Sequence, residues 1–151
     1  ARILFDVLKE VISVWDSEHV GLRLSPLNSY NSMKDSDPVG LTKYLSQELN
    51  AFNLAYLHMM RSDFFGIQSG PVIETARSEF KNKLIGNMGY TPEEASVAIL
   101  ENKLDAVAFG HHFISNPNLV QKVNEGRELS EPDQSTYYTP GPKGYTDYPV
   151  N

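Results

Sequence analysis

Cysteine is absent from the 151 residues, tryptophan occurs once, and 13 Lys and Arg face 19 Asp and Glu. Without cysteine there are no disulfides and no thiolate metal sites, and the cytosol is the compartment such a chain is assigned. A net charge of -6 argues against nucleic acid as a main partner, because phosphate backbones are bound by clustered Lys and Arg, although it leaves room for one local phosphate site. No run approaches the roughly 20 apolar residues of a membrane span, so no membrane partner is expected. The first residues lack the layout of a signal peptide. Leu4, Val7, Leu8, Val11, Ile12 and Trp15 recur at helical spacing, yet no Ser, Thr, Asp or Asn caps them and no initiator Met precedes them. This opening reads as a cut inside a longer chain, with a processed natural terminus as the alternative.

What is present is an ordinary globular composition, 40% hydrophobic and 21% charged, arranged with a rhythm. After the first helix, Val20-Gly-Leu-Arg-Leu-Ser-Pro26 reads as a strand ended by Pro. Asp37-Pro38 starts a helix with Leu41, Tyr44, Leu45, Leu49 and Phe52 on one face, and Leu54 to Met60 is a second strand. Ile73, Ala76 and Phe80 mark a helix, and Leu84 to Asn87 a third strand. Thr91-Pro-Glu-Glu94 is a helix start with a capping box and Pro in the first turn. Asp105 to Gly110 is a fourth strand; Asn116-Pro117 begins a last helix, and Gly126 serves as its C-cap. From Ser130 the tail is rich in Pro, Gly and Tyr, without periodicity.

Strict alternation predicts an α/β fold with parallel strands and helices packed outside them. Four strands are too few to close a barrel of eight, so a small doubly wound domain and half a (β/α)8 barrel both remain open. In the first strand Gly21, Arg23 and Ser25 share one face, while Val20, Leu22 and Leu24 share the other. Arg23, near the C-terminal end of its strand, reads either as a fork-shaped donor to an anionic or carbonyl-rich ligand or as a structural ion pair with a neighbouring carboxylate. The turns Asn87-Met-Gly-Tyr90 and Phe109-Gly-His-His112 offer glycines and backbone N–H groups of the kind that cradle phosphate. His111 and His112 are adjacent and form no metal pair, so no metal is expected. His58, inside an apolar strand, reads as a satisfied core histidine. The tail tyrosines read as a cover over a pocket or as a disordered tail.

Val20-Gly-Leu-Arg-Leu-Ser-Pro26, Ala55-Tyr-Leu-His58, Ala106-Val-Ala-Phe-Gly110, Phe113-Ile-Ser-Asn-Pro117 and Gly144-Tyr-Thr-Asp-Tyr-Pro149 together resemble, in order and spacing, the old yellow enzyme family of NAD(P)H-dependent flavin oxidoreductases. The resemblance covers essentially the whole chain. It implies a (β/α)8 TIM barrel of which residues 1–151 carry strands five to eight, with 130–151 as a C-terminal tail. It also implies FMN as cofactor, NADH or NADPH as hydride donor, and a small activated alkene, an enone or nitro compound, as substrate. By the same resemblance Arg23 contacts the flavin near N1 and O2, where its charge raises the flavin's potential. Met88, Gly89, Gly110 and His111 hold the FMN phosphate, and Tyr145 borders the substrate pocket.

Two positions depart from the family: His111 stands where Arg is usual, and Asn118 where Asp is usual. The groups that hold a substrate carbonyl and donate a proton belong to the first four strands, so no catalytic residue is assigned in this chain. Inactivity of the fragment alone, and a partner in the form of the missing N-terminal half-barrel or self-association, follow as expectations. The rival expectation is a non-catalytic half-barrel that binds or assembles.

Overall fold

The computed structural model describes residues 1–150; Asn151, the last residue of the tail, lies outside them. The chain divides into two compact units, Ala1–Ala108 and the residues from Phe109 onward.

The first unit begins with helix α1 (Arg2–Val14), whose N-cap, Ala1, makes no side-chain cap bond. The helix is held by packing instead: Leu8 is buried, and Phe5 stacks on Phe52 at 5.6 Å and meets Tyr44 edge-on at 6.3 Å. Then follow β1 (Gly21–Leu24), α2 (Pro38–Leu49), β2 (Tyr56–Met60), α3 (Val72–Glu79), β3 (Lys83–Asn87), α4 (Pro92–Leu100) and β4 (Ala106–Ala108). Local chemistry explains the boundaries. Asp37 caps α2 by accepting from the Gly40 N–H at 2.8 Å, with Pro38 in the first turn. Thr91 and Glu94 complete the capping box expected for α4. The strands are shorter than the apolar runs that announced them, because β1 stops before Ser25-Pro26 and β4 spans three residues.

All three pairings are parallel and the strand order is β1-β2-β3-β4. A doubly wound sheet reverses its order at a switch point and has helices on both faces. Here the order simply follows the chain. Leu57, Met59 and Leu84 are buried on one face, while on the other Arg23 and Tyr56 are exposed and His58 is half-buried. One covered face and one open face is the arrangement of a partial barrel, with the open face in the position of a barrel interior.

In the second unit α5 (His111–Ser115) and α6 (Leu119–Asn124) follow one another. The sequence pattern starts the last helix at Asn116-Pro117, three residues before it begins. Asn116 does not cap it because the side chain is used elsewhere. Fully buried, it donates to His112 O (2.8 Å) and Ser130 O (2.9 Å), and it accepts from Ser130 N (2.9 Å) and Lys122 Nζ (3.0 Å). Gly126 ends α6 at φ 64°, as its C-cap reading requires. The tail carries a short 3-10 turn at Gln134–Thr136, and Tyr148 Oη accepts the Asp133 N–H at 2.9 Å.

Candidate functional site

The register of the sheet decides which side chains share its open face. Arg23 lies level with His58 and Ile85, one strand apart each, and Asn87 occupies the next row toward the C-terminal end of β3. The Arg23 guanidinium bridges these strands: Nη1 lies 2.7 Å from His58 Nε2, and Nη2 donates to Asn87 Oδ1 at 2.8 Å. Asn87 Nδ2 passes the chain on to the Ala108 carbonyl at 3.1 Å. Among the described residues Arg23 has no carboxylate partner, so the ion-pair reading fails. The reason is composition: the face offers amide and imidazole, and no acid.

His58 corrects its own expectation too. It is not in the core but on the open face, accepting from Arg23. Burial, and after it the Arg23 charge, pushes His58 below the ordinary histidine value. A neutral imidazole is what this geometry needs, because only an unprotonated nitrogen accepts from a guanidinium.

At the end of β3 the turn Met88-Gly89 carries two successive positive φ angles, 86° and 66°. Glycine adopts this conformation freely, whereas Met88 needs support from its surroundings. A tight turn of this kind can present successive backbone N–H groups as an anion-binding concavity. Among the described residues, no acceptor meets the N–H of Gly89 or Tyr90. Sequence reasoning missed Arg61, which closes the back of this turn, and the side-chain role of Asn87, which it read only as part of the turn; the available signal was a polar residue at the C-terminal end of each of two strands.

Two further features lie where β1 and β2 deliver their loops. Asp63, buried, accepts from Ser29 N (2.8 Å), Ser29 Oγ (3.0 Å), Ile67 N (2.7 Å) and Gln68 N (3.1 Å). Burial pushes its carboxyl up, but the Ser29 and loop donors outweigh that and hold it far below the usual carboxylate range. Beside it Tyr30 and Phe65 stack at 6.2 Å and Phe64 meets Phe65 edge-on at 5.1 Å, all three exposed. This aromatic wall, at the strand ends where barrel sites are built, also went unread in the sequence.

In the second unit Gly110 precedes α5 with open space where a Cβ would stand. Both ring nitrogens of His111 have neighbours: Nδ1 lies 2.9 Å from Tyr137 Oη and Nε2 3.6 Å from Glu131. Tyr145 is exposed. Among the described residues no cluster of His, Asp and Glu is arranged to hold a metal, and no helix is long and apolar enough to cross a membrane.

Comparison with known proteins extends this picture. The chain is 44% identical over 98% of its length to a probable flavin mononucleotide-dependent alkene reductase of Leishmania infantum. It superposes on the old yellow enzyme from Trypanosoma cruzi with a TM-score of 0.96 at 44% identity, and on morphinone reductase with 0.92 at 38% identity, covering 99% and 100% of this chain. It spans about 40% of the length of each of these proteins. The sequence profile of one family, NADH:flavin oxidoreductase / NADH oxidase, matches residues 1–130. Because that match takes in all four strands and the helices between them, and not one motif, the chain belongs to the NADH:flavin oxidoreductase / NADH oxidase family.

Proposed function

We propose that this chain supplies strands five to eight of a cytosolic FMN-binding barrel. That barrel passes a hydride from NADH or NADPH, through the flavin, to an activated alkene of the enone or nitro class. The observation that carries this reading is the Arg23 guanidinium: exposed, held between His58 and Asn87 on the two following strands, and without a carboxylate partner among the described residues. A fixed cation without a counter-charge on an open face suits an electron-rich ligand edge.

The residues present fit the cofactor. When bound, FMN supplies the group that accepts and returns a hydride. Arg23 would hold the N1 and O2 edge of its ring, oriented by His58 and Asn87. The N–H groups of the Met88-Gly89 turn would take the phosphate, and Gly110 and His111 carry the same assignment in their own unit. His111 meets such a ligand in competition with Glu131. Tyr30, Phe64 and Phe65 offer flat apolar surface to a substrate, and in its own unit Tyr145 keeps its assignment to a substrate pocket. The chain contains no assigned proton donor or carbonyl-binding pair, which supports inactivity of the fragment alone and a requirement for the complementary strands. The second reading, a non-catalytic unit for binding or assembly, is favoured by the sheet's two unpaired edges.

Flavin titration of the assembled barrel separates the two. Saturable FMN binding, with alkene-dependent oxidation of NADH or NADPH, is expected. Arg23→Ala is expected to abolish turnover and Arg23→Lys to retain a small part of it, because Lys lacks the planar fork. A colourless protein that takes up no flavin selects the non-catalytic reading.

A further inference from the structure

The geometry points to Arg61 as the positioning residue that presents the Met88-Gly89 turn to a phosphate. This rests on the assignment of that turn to the FMN phosphate and says how the turn is made competent. Arg61 follows β2 directly, and its backbone N–H extends the ladder to Asn87 O at 3.0 Å. Its side chain reaches behind the turn. Nε donates to Met88 O at 2.7 Å, and Nη2 donates to Gly89 O and to Glu94 at 3.0 Å. The guanidinium lies 3.8 Å over the Tyr90 ring. Glu94 also receives the Thr91 N–H at 3.2 Å, so the end of β2, the turn and the start of α4 are one hydrogen-bonded piece.

Peptide planarity gives this clamp its consequence. In a trans peptide the C=O and the following N–H point in opposite directions, and no peptide bond here is cis. With the carbonyls of Met88 and Gly89 drawn back onto Arg61, the N–H groups of Gly89 and Tyr90 face away from it, toward the concave side of the turn. The clamp also supports Met88 at its φ of 86°, a conformation disfavoured for a residue with a side chain. Hydrogen bonds in series polarise one another, so a cation on the carbonyl side makes the N–H groups on the other side better donors to an anion. Arg61 itself does not touch the ligand.

Riboflavin lacks the phosphate, so the ratio of FMN to riboflavin affinity isolates what the turn contributes. In the assembled barrel the parent is expected to favour FMN. Arg61→Met is expected to lower that ratio about tenfold or more, leaving riboflavin affinity within about threefold. Arg61→Lys, which keeps the charge but cannot span two carbonyls, is expected to fall between and covers the case in which the Met variant does not fold. Arg77→Met is the control, since Arg77 likewise clamps two carbonyls, of Phe80 and Asn82, at the opposite end of β3; it is expected to leave the ratio unchanged. Equal losses for both flavins in the Arg61 variants, or an equal fall in the ratio for Arg77→Met, reduces Arg61 to a structural residue and overturns the proposal. A parent that binds the two flavins equally overturns the phosphate assignment of the turn itself.

Discussion

Arg23, His58 and Asn87 work as one group because each supplies what its neighbour lacks. The guanidinium has only donors, the neutral imidazole supplies an acceptor nitrogen, and the Asn87 amide accepts on one side and donates on the other. Protonating His58 removes the acceptor and sets two cations side by side. Its folded-state pKa is the lowered one, so the stability it contributes is intact above the ordinary value of 6.5 and is lost as pH falls through the folded value. Melting temperature is therefore expected to drop as pH falls below the ordinary histidine value of about 6.5, and His58→Gln, which keeps an acceptor but cannot titrate, is expected to flatten that drop. An equal acid loss in both proteins would locate it elsewhere. His111 poses a separate question, since it is the phosphate-site residue expected to stand in place of an arginine. His111→Arg is expected to tighten FMN binding by about 1 kcal/mol in the assembled barrel; unchanged affinity would mean that the side chain never meets the phosphate.

Between strands and helices, the loops are organised by single polar residues more than by apolar contact. Asp63 is the clearest case, gathering donors from the loop after β1 and from its own loop after β2. It thereby fixes the base on which Tyr30 and Phe65 stack. Because its carboxyl is held far below the usual range, its contribution is present above the unfolded value near 4 and is lost as pH falls further. Asp63→Asn removes the charge from every one of these bonds. Amide exchange at Ile67 and Gln68 is expected to accelerate by at least tenfold with little change in α2 or α3, and unchanged exchange there would show the loops are held by something else. At the other end of the strands Asp105 plays the corresponding part. Burial pushes it up, yet the Leu84 N–H, Lys83 and Arg77 hold it at about 2. It ties α3 to β3, which leaves the opposite strand ends to the site.

For the whole molecule the dominant fact is surface left uncovered. β1 and β4 each pair on one side only. The sheet's second face is open, and α1 exposes Ile3, Val7, Val11 and Val14, followed by exposed Trp15 at its end. Unpaired strand edges and contiguous apolar surface recruit partners. A chain of these 151 residues on its own is therefore expected to self-associate, and supplying the complementary half-barrel is expected to replace that state with a defined complex. Size exclusion with native mass measurement decides it: a sharp monomer peak with cooperative unfolding would mean that these surfaces are satisfied within the chain.

The features that the sequence determined by itself are those carried by neighbouring residues. The Thr91 to Glu94 capping box, the Gly126 helix end and the alternation that puts Arg23 opposite Leu22 and Leu24 depend on contacts within a few positions, where spacing is geometry. The family was legible for a related reason, since several short segments kept their order along most of the chain. Tertiary structure alone decided what those residues touch. Arg23 finds its partners 35 and 64 positions away, and Arg61 finds the turn it clamps 27 and 28 positions away. Asn116 is withdrawn from capping by Ser130, 14 positions on. These choices depend on strand register. Shifting a strand by one residue sends every side chain to the other face, and nothing local to Arg23, His58 or Arg61 states which neighbour the register will bring alongside.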